Sequence, residues 1–418
     1  MTKEIFTPAN WIWTAHERPN QYVLFAKTVE LQSAAPLQVQ ISASSHYELW
    51  LDGQFIARGP VHGDPRWCQY DEISFTPRAA GPLHIAVLVH HEDAYVHCLL
   101  PTRGGFIAAF RGDNLNVGTD ESWKCLGLEM WSQNVSKRGW ALGFGEDFNA
   151  RLEPAGWDDK IFDFAEWENA VLIPDVANIW ANYQKRMTPH LVRRLIEPVS
   201  FDAWQAPQSG APDLGDVSAF CDEEPLHPVA RGLSANWDVV NAQLADANAL
   251  TFDLGREHVG FYLLDLEAPE GTIIEISGAE LLRDDRPWIY RKGTSYSARY
   301  TTRAGRQQFT TFGWSGFRYL HLVFRGGAHD VKIHAAGCLE RKVPLRALSH
   351  VEDFRAPDES LQNIFDLCRR TLEVGVQEHL VDCPTREQAQ YWGDGVFIAQ
   401  SLGKGFGEWR YLEWFLEC

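Results

Sequence analysis

The chain has 418 residues, 45% of them hydrophobic and 12% aromatic, a length and composition that predict roughly two to four domains with buried cores. Its formal charge of −18 argues against a nucleic-acid partner, because a phosphate backbone requires a basic surface. The eight cysteines are scattered without a CxxC pair, so neither a zinc ribbon nor a disulfide framework is indicated and most should be free thiols.

The first residues, MTKEIFTPANWIW, lack the charged segment, apolar run and cleavage site of a secretory signal. No later stretch offers the roughly eighteen consecutive apolar residues that a membrane-spanning helix requires. We therefore expect a cytoplasmic protein without a membrane partner.

Residues 22–112 alternate apolar and polar positions in short runs interrupted by turn residues, a pattern typical of antiparallel strands. Residues 47–57 predict a hairpin closed by a two-residue turn at Asp52-Gly53, and residues 83–89 predict a further strand. Together these strands predict a jelly-roll-like β-sandwich.

A polar group follows, comprising His90, His91, Glu92, Asp93 and His97. Adjacent residues of a strand point to opposite faces, so His90 and His91 cannot readily share one metal ion. We therefore predict a polar strand end near a domain interface rather than a metal site.

Strand periodicity returns in residues 249–342, most clearly at 250–255, 272–276 and 317–323, which predicts a second β-sandwich. The intervening residues 176–245 are rich in proline, with a middle of glycine, serine, alanine and proline, and predict connecting structure.

Helical periodicity begins after Pro357-Asp358, which is a typical helix cap. The apolar residues at helical spacing are Leu361, Ile364, Phe365, Cys368, Leu372 and Val376. Residues 396–402 predict another helix, which we expect Gly403, Gly405 and Gly407 to end, and residues 409–416 predict a third.

Residues 382–394, DCPTREQAQYWGD, contain three carboxylates, one guanidinium and two adjacent aromatic rings. If a helix begins near Thr385, then Glu387, Tyr391 and Asp394 share one of its faces. Glycoside hydrolysis needs a protonated carboxylic acid, and neighbouring anions with partial burial can raise the pKa of a glutamate enough for that role. Glu387 is the candidate acid, although a solvated helix start explains the same residues.

This segment, here called the signature segment, closely resembles the signature of the bacterial α-L-rhamnosidases of glycoside hydrolase family 78, in which it opens the active-site face of an (α/α)6 barrel. The resemblance implies that Glu387 is the general acid. Another form of the motif, DCPxRDERxGWxGD, is one residue longer, so this assignment depends on where the gap is placed.

The resemblance also implies a set of substrate-binding residues around the terminal rhamnose. Those that would bind its hydroxyl groups are Asp382, Arg386 and Asp394, and those that would wall the subsite are Tyr391 and Trp392. The general base of the family is a glutamate on a later barrel segment, which would lie beyond Cys418.

Other strings resemble the β-domains of the same family. YELWLDGQFIARGP resembles the N-terminal β-domain, whereas FDLGREHVGFYLLDL, PEGTIIEISGAELL and TFGWSGFRYLHL resemble the second β-domain, which packs beside the barrel. Glu280 and Arg318 lie in these strings, where interface salt bridges explain them as well as a functional role does.

The expected protein is therefore multidomain β plus α, with two jelly-roll-like β-sandwich domains followed by the first helices of an (α/α)6 barrel that is incomplete in this chain. The predicted limits are 1–175 for the first sandwich, 176–245 for the connection, 246–345 for the second sandwich and 346–418 for the barrel start.

The implied function is inverting hydrolysis of terminal α-L-rhamnosides in oligosaccharides or glycosides, with a carbohydrate substrate as the partner and with neither a cofactor nor a metal. The formation of a homo-oligomer stays open. Two alternatives also stay open: a non-catalytic carbohydrate-binding protein, and a barrel glycosidase that acts on a different sugar.

Overall fold

The computed structural model describes residues 5–63, 66–159, 162–207 and 226–417. The strands of the first part of the chain are β1 (Ile12–Trp13), β2 (Gln21–Leu31), β3 (Leu37–Ala43), β4 (His46–Leu51), β5 (Gln54–Gly59), β6 (Trp67–Phe75), β7 (Gly81–His91), β8 (Phe106–Gly112), β9 (Leu115–Gly118), β10 (Lys124–Gly127), β11 (Glu146–Asn149), β12 (Glu168–Asn169), β13 (Val171–Leu172) and β14 (Asn182–Lys185).

The strands of the second part are β15 (Val192–Ile196), β16 (Ser200–Gln205), β17 (His227–Ser234), β18 (Ala249–Ala268), β19 (Ile273–Ala279), β20 (Leu282–Arg283), β21 (Arg286–Pro287), β22 (Tyr290–Arg291), β23 (Thr294–Ser295), β24 (Ser297–Thr301), β25 (Gly305–Thr310), β26 (Ser315–Arg325) and β27 (Lys332–Lys342). The helices are α1 (Val176–Ile179), α2 (Trp237–Gln243), α3 (Ser349–Glu352), α4 (Glu359–Gly375), α5 (Trp392–Phe406) and α6 (Arg410–Glu417).

Two compact units make up the chain. The first comprises the described residues of 1–129, 154–190 and 413–418, and the second those of 130–153 and 191–412. These units do not test the predicted domain limits, which stay a prediction. Residues 208–225 of the predicted connection lie outside the described residues.

The first unit contains two sheets, with strand orders β13-β1-β8-β3-β6-β14 (β9 beside β8) and β12-β10-β2-β7-β4-β5. Apolar residues of both sheets form one buried cluster, in which the Phe25 and Phe106 rings lie 4.9 Å apart. This arrangement agrees with the predicted β-sandwich. The predicted hairpin is confirmed as β4 and β5, and its turn residues Asp52 and Gly53 have φ values of 50° and 72°.

His90 and His91 end strand β7 and are both buried. The His90 ring stacks on Tyr22 with 4.0 Å between ring centroids and lies 2.9 Å from the side-chain oxygen of Asn20. The His91 ring instead meets the edge of Trp13. The two imidazoles therefore have separate neighbours, as the alternation of a strand requires.

The second unit is built around β18, a strand of 20 residues. Residues 249–260 of β18 pair with β26, and residues 260–267 pair with β27. The register with β26 shifts between Asp253 and His258, so four residues bulge out of that ladder. The strands predicted at 250–255, 272–276 and 317–323 fall within β18, β19 and β26, apart from Thr272 directly before β19.

Helix α4 begins where the sequence predicts. Asp358 is its N-cap, and the side-chain oxygen of Asp358 accepts the backbone N–H of Leu361 at 2.9 Å. Part of the apolar stripe of α4 is open to solvent, since Ile364 is 57% exposed. The structure does not confirm the barrel, which stays a prediction.

Removal of this cap is the first testable expectation. Asp358→Ala is expected to lower the free energy of unfolding by about 1 kcal/mol, because one backbone N–H of the first turn loses its acceptor. Chemical denaturation followed by circular dichroism measures the change. Ser360→Ala, an exposed position in the same turn, serves as the control, and equal effects of the two substitutions would contradict the capping role.

The predicted end of the second helix was wrong. Helix α5 continues through Gly403 and Gly405 to Phe406, and only Gly407, with φ of 68°, ends it. At Gly403 the Trp409 ring occupies the space that a Cβ would need, so glycine is the residue that fits at this position of the helix. No helix among the described residues is long and apolar enough to cross a membrane.

The cysteines within the described residues are not in disulfide bonds, which agrees with the expectation of mostly free thiols; they are Cys68, Cys98, Cys125, Cys338, Cys368 and Cys383. Cys221 and Cys418 lie outside the described residues.

Candidate active site

The signature segment is a folded turn and not the start of a helix, so the helix predicted near Thr385 was wrong. The N–H of Asp382 donates to the carbonyl of Ala389 at 2.9 Å, and the N–H of Ala389 donates to the Asp382 carboxylate at 3.0 Å. Gln388 has a φ of 52°, a left-handed conformation that a helix does not allow. Helix α5 therefore starts only at Trp392.

The turn brings Asp382, Cys383, Arg386 and Glu387 together. Glu387 is 6% exposed, and one of its carboxylate oxygens forms an ion pair with the Arg386 guanidinium. The thiol of Cys383 donates to the other oxygen at 3.3 Å, and the N–H of Glu387 donates to the Cys383 sulfur at 3.5 Å. The candidate acid is therefore held on two sides.

The two carboxyl groups have opposite pKa shifts. Burial raises the pKa of Asp382, and the negative charge of Glu387 adds to this rise. The hydrogen bond from the N–H of Ala389 acts in the opposite direction but does not outweigh them. Burial also acts to raise the pKa of Glu387, but the hydrogen bonds from Arg386 and Cys383 outweigh it, so that pKa is lowered. The two shifts therefore favour protonation of Asp382 over protonation of Glu387.

The lowered pKa of Glu387 differs from the expectation that neighbouring anions would raise it. The Arg386 guanidinium lies on Glu387 and stabilises its ionised form. Since Arg386 directly precedes Glu387, the direction of its side chain depends on the turn, which the sequence pattern did not predict.

Among the described residues, one group of side chains has donor atoms close enough together, within 4.8 Å of one another, to hold a metal ion. The group consists of Asp382, Cys383 and Glu387. A thiolate with two carboxylates suits zinc better than magnesium or calcium. The Arg386 guanidinium, however, already occupies one oxygen of Glu387 and repels a cation.

The remaining predicted residues lie where the turn leads into α5. Burial and then the charges of Glu387 and Asp382 raise the pKa of Tyr391. Trp392 is 62% exposed, and Asp394 is exposed in the first turn of α5. The contacts described above do not include either residue.

The strands that contact this turn lie in a part of the chain that is similar to known proteins. Residues 243–336 match the family model described as the bacterial alpha-L-rhamnosidase concanavalin-like domain. For this similarity we call residues 243–336 the rhamnosidase β-domain. The resemblance to the bacterial α-L-rhamnosidases is thereby confirmed. No curated protein matches the chain in sequence.

Solved rhamnosidase structures share the fold. The GH78 family rhamnosidase of Bacillus sp. GL1 is 22% identical, with a TM-score of 0.84 over 98% of this chain and 62% of its own. The α-L-rhamnosidase of Dictyoglomus thermophilum is 17% identical, with a TM-score of 0.69 over 99% of this chain and 44% of its own. That of Aspergillus terreus is 15% identical, with a TM-score of 0.65 over 93% and 42%. The chain thus spans less than two thirds of the length of each.

The signature segment is anchored to the rhamnosidase β-domain. The N–H of Gly316 donates to the Pro384 carbonyl at 2.9 Å, and the Thr385 hydroxyl donates to Glu280 at 3.1 Å. Glu280 in turn forms an ion pair with Arg291 at 2.7 Å. Glu280 therefore forms a salt bridge and also contacts the signature segment, while a functional role for it stays a prediction.

Glu257, in the bulge of β18, is a residue near this site that sequence analysis did not select. Its side chain approaches Gly316 and Pro384. Its string, FDLGREHVGFYLLDL, signalled a strand of the rhamnosidase β-domain but offered no sign of a bulge at that glutamate.

Proposed function

We propose that this chain is the N-terminal portion of an inverting glycoside hydrolase that releases L-rhamnose from terminal α-L-rhamnosides, with Glu387 as the general acid. The observation that carries the proposal is the anchoring of the signature segment, with its buried Glu387, on a rhamnosidase β-domain. The sequence resemblance supplies the sugar and the inverting course.

The ion pair of Glu387 suggests how the acid becomes protonated. Arg386 can turn from Glu387 to a hydroxyl of the bound sugar, and burial then favours the neutral form of Glu387. A proton on Asp382, whose pKa is raised, lies close enough to pass to Glu387, which donates it to the glycosidic oxygen. In an inverting site a second carboxylate, about 6.5 to 9.5 Å away, activates water. We place that base beyond residue 418.

The exposed apolar side chains of α4 and α5 support a barrel that continues past this chain. Leu361, Ile364 and Leu367 of α4 and Phe397 of α5 are all largely exposed. An amphipathic helix normally buries such a stripe against another element. We propose that further barrel helices cover them and that Tyr391, Trp392 and Asp394 line the rhamnose subsite with Asp382 and Arg386.

Release of p-nitrophenol from p-nitrophenyl α-L-rhamnoside tests the proposal. We expect turnover that free L-rhamnose inhibits at lower concentration than L-fucose or D-mannose does. If the chain needs its missing base, calorimetric titration should still show binding of L-rhamnose in preference to the other two sugars. Equal response to the three sugars would contradict the rhamnoside assignment.

A non-catalytic carbohydrate-binding protein is the second candidate. The lowered pKa of Glu387 favours it, because an ionised carboxylate paired with arginine suits binding of hydroxyl groups better than proton donation. Rhamnose binding without turnover, in a chain to which the sequence beyond residue 418 has been restored, would support this candidate.

A further inference from the structure

The bulge of β18 brings a carboxyl group beneath the signature segment. Pairing with β26 stops at Asp253 and resumes at His258, and Gly255 has the positive φ of 81° that the bulge requires. The carbonyl oxygen of Glu257 then accepts a hydrogen bond from Arg370 of α4 at 2.7 Å, which fixes the backbone at this position.

The carboxyl group of Glu257 and the ring of Pro384 both border the space over Gly316. A Cβ at Gly316 would lie 2.7 Å from the Glu257 Oε1 atom and 2.7 Å from the Pro384 Cγ atom, so the position has room for glycine alone. Glu257 Oε1 is buried and has no hydrogen-bond partner among the described residues. A carboxylate oxygen in such a place carries a large desolvation cost, whereas a protonated acid carries much less.

We propose that Glu257 is a positioning residue, which as a neutral carboxylic acid supports Pro384 from below and thereby holds the signature segment in place. That the held segment contains the catalytic acid rests on the function proposed above. The support itself concerns only the local packing of residues 382–391.

The charges around Glu257 agree with a neutral acid. Burial and then the charge of Glu280 raise the pKa of Glu257 to about 7, while Arg370 and Arg291 act in the opposite direction. Both guanidinium groups have other partners, the Glu257 carbonyl and the Glu280 carboxylate respectively. Gly316 and Pro384, which border the same space as the carboxyl group, do not titrate.

Ionisation of Glu257 should therefore loosen the segment. If an opened segment leaves Glu257 with an ordinary glutamate pKa, linkage predicts that opening becomes up to about tenfold more favourable between pH 6 and pH 8. Glu257→Gln keeps the shape of the neutral acid and cannot ionise, so it should abolish this dependence.

Hydrogen exchange read by mass spectrometry tests the proposal on the chain as it exists. The protection of peptides covering 382–391, corrected for the intrinsic pH dependence of exchange, is compared at pH 6 and pH 8. We expect the protection of the unmodified chain to fall severalfold at pH 8 and that of Glu257→Gln to stay at its pH 6 level. Glu267→Gln, an exposed glutamate on the same strand, should behave as the unmodified chain.

Three results would overturn the proposal: protection of the unmodified chain that is independent of pH, a fall of equal size in Glu257→Gln, or lost protection in Glu257→Gln already at pH 6. If Glu257→Gln does not fold, the comparison of the unmodified chain at the two pH values still decides. None of these results depends on whether the chain hydrolyses a rhamnoside.

Discussion

Glu387→Gln is expected to lower the turnover of α-L-rhamnosides by at least about 100-fold in a preparation that hydrolyses them, because glutamine keeps the shape of the acid but has no proton to donate. The loss should be larger for methyl α-L-rhamnoside than for p-nitrophenyl α-L-rhamnoside. Methoxide is a poor leaving group that needs protonation, whereas p-nitrophenolate leaves readily without it. Initial rates with the two substrates measure both effects.

The dependence of the rate loss on the leaving group distinguishes a catalytic role of Glu387 from a role in sugar binding. If Glu387 only binds the sugar, the substitution should affect both substrates equally. Because the pKa of Asp382 is raised while that of Glu387 is lowered, Asp382→Asn is the informative comparison. A leaving-group dependence in Asp382→Asn alone would reverse the assignment. Glu359→Gln, an exposed position at the start of α4, serves as the neutral control.

Glu340→Gln is expected to lower the free energy of unfolding at pH 7 by about 3 kcal/mol. Glu340 is 3% exposed, with one oxygen 2.6 Å from His258 Nδ1 and the other 2.9 Å from Arg194. Although burial acts in the opposite direction, these partners, together with the charge of Arg370, lower its pKa to about 2. A shift of that size corresponds to about 3 kcal/mol of stability by proton linkage.

The sign of the pH dependence follows from the lowered pKa. The stabilisation is complete above the unfolded pKa of about 4.5 and is lost as the pH falls toward 2. The difference between the unmodified chain and Glu340→Gln should therefore shrink to less than about half by pH 3. Urea denaturation at pH 7, 5 and 3 measures it, with Glu267→Gln as the exposed control. A difference that stays constant over this range would rule out the ionised Glu340 as its source.

The sequence predicted well those strands, turns and helix caps that are determined by residues close together in the chain. The alternation of residues 83–89 produced β7, and Asp52-Gly53 produced the tight turn between β4 and β5. Asp358 capped α4 as expected. In each case the decisive interaction joins residues within a few positions of one another, so a short stretch of sequence contains the whole cause.

The signature segment shows where local reasoning failed. Its composition predicted Glu387 as the candidate acid and a helix that begins near Thr385. That helix would require the backbone groups of residues 382–391 to form hydrogen bonds with one another. Gly316 instead donates to the Pro384 carbonyl, and Ala389 closes the turn onto Asp382. One of these partners lies on β26, about seventy positions earlier in the chain, at a distance that no helical spacing describes.

The amino-acid sequence by itself determined the two strand-rich regions, the cap of α4 and the segment that holds the candidate acid, because periodicity and residue chemistry act over a few positions. Only the tertiary structure decided the opposite pKa shifts of Asp382 and Glu387, the contact of Arg386 with Glu387, and the approach of Glu257 and Pro384 to the same space over Gly316. Burial and charge determine these features, and both depend on residues that folding brings together from distant strands.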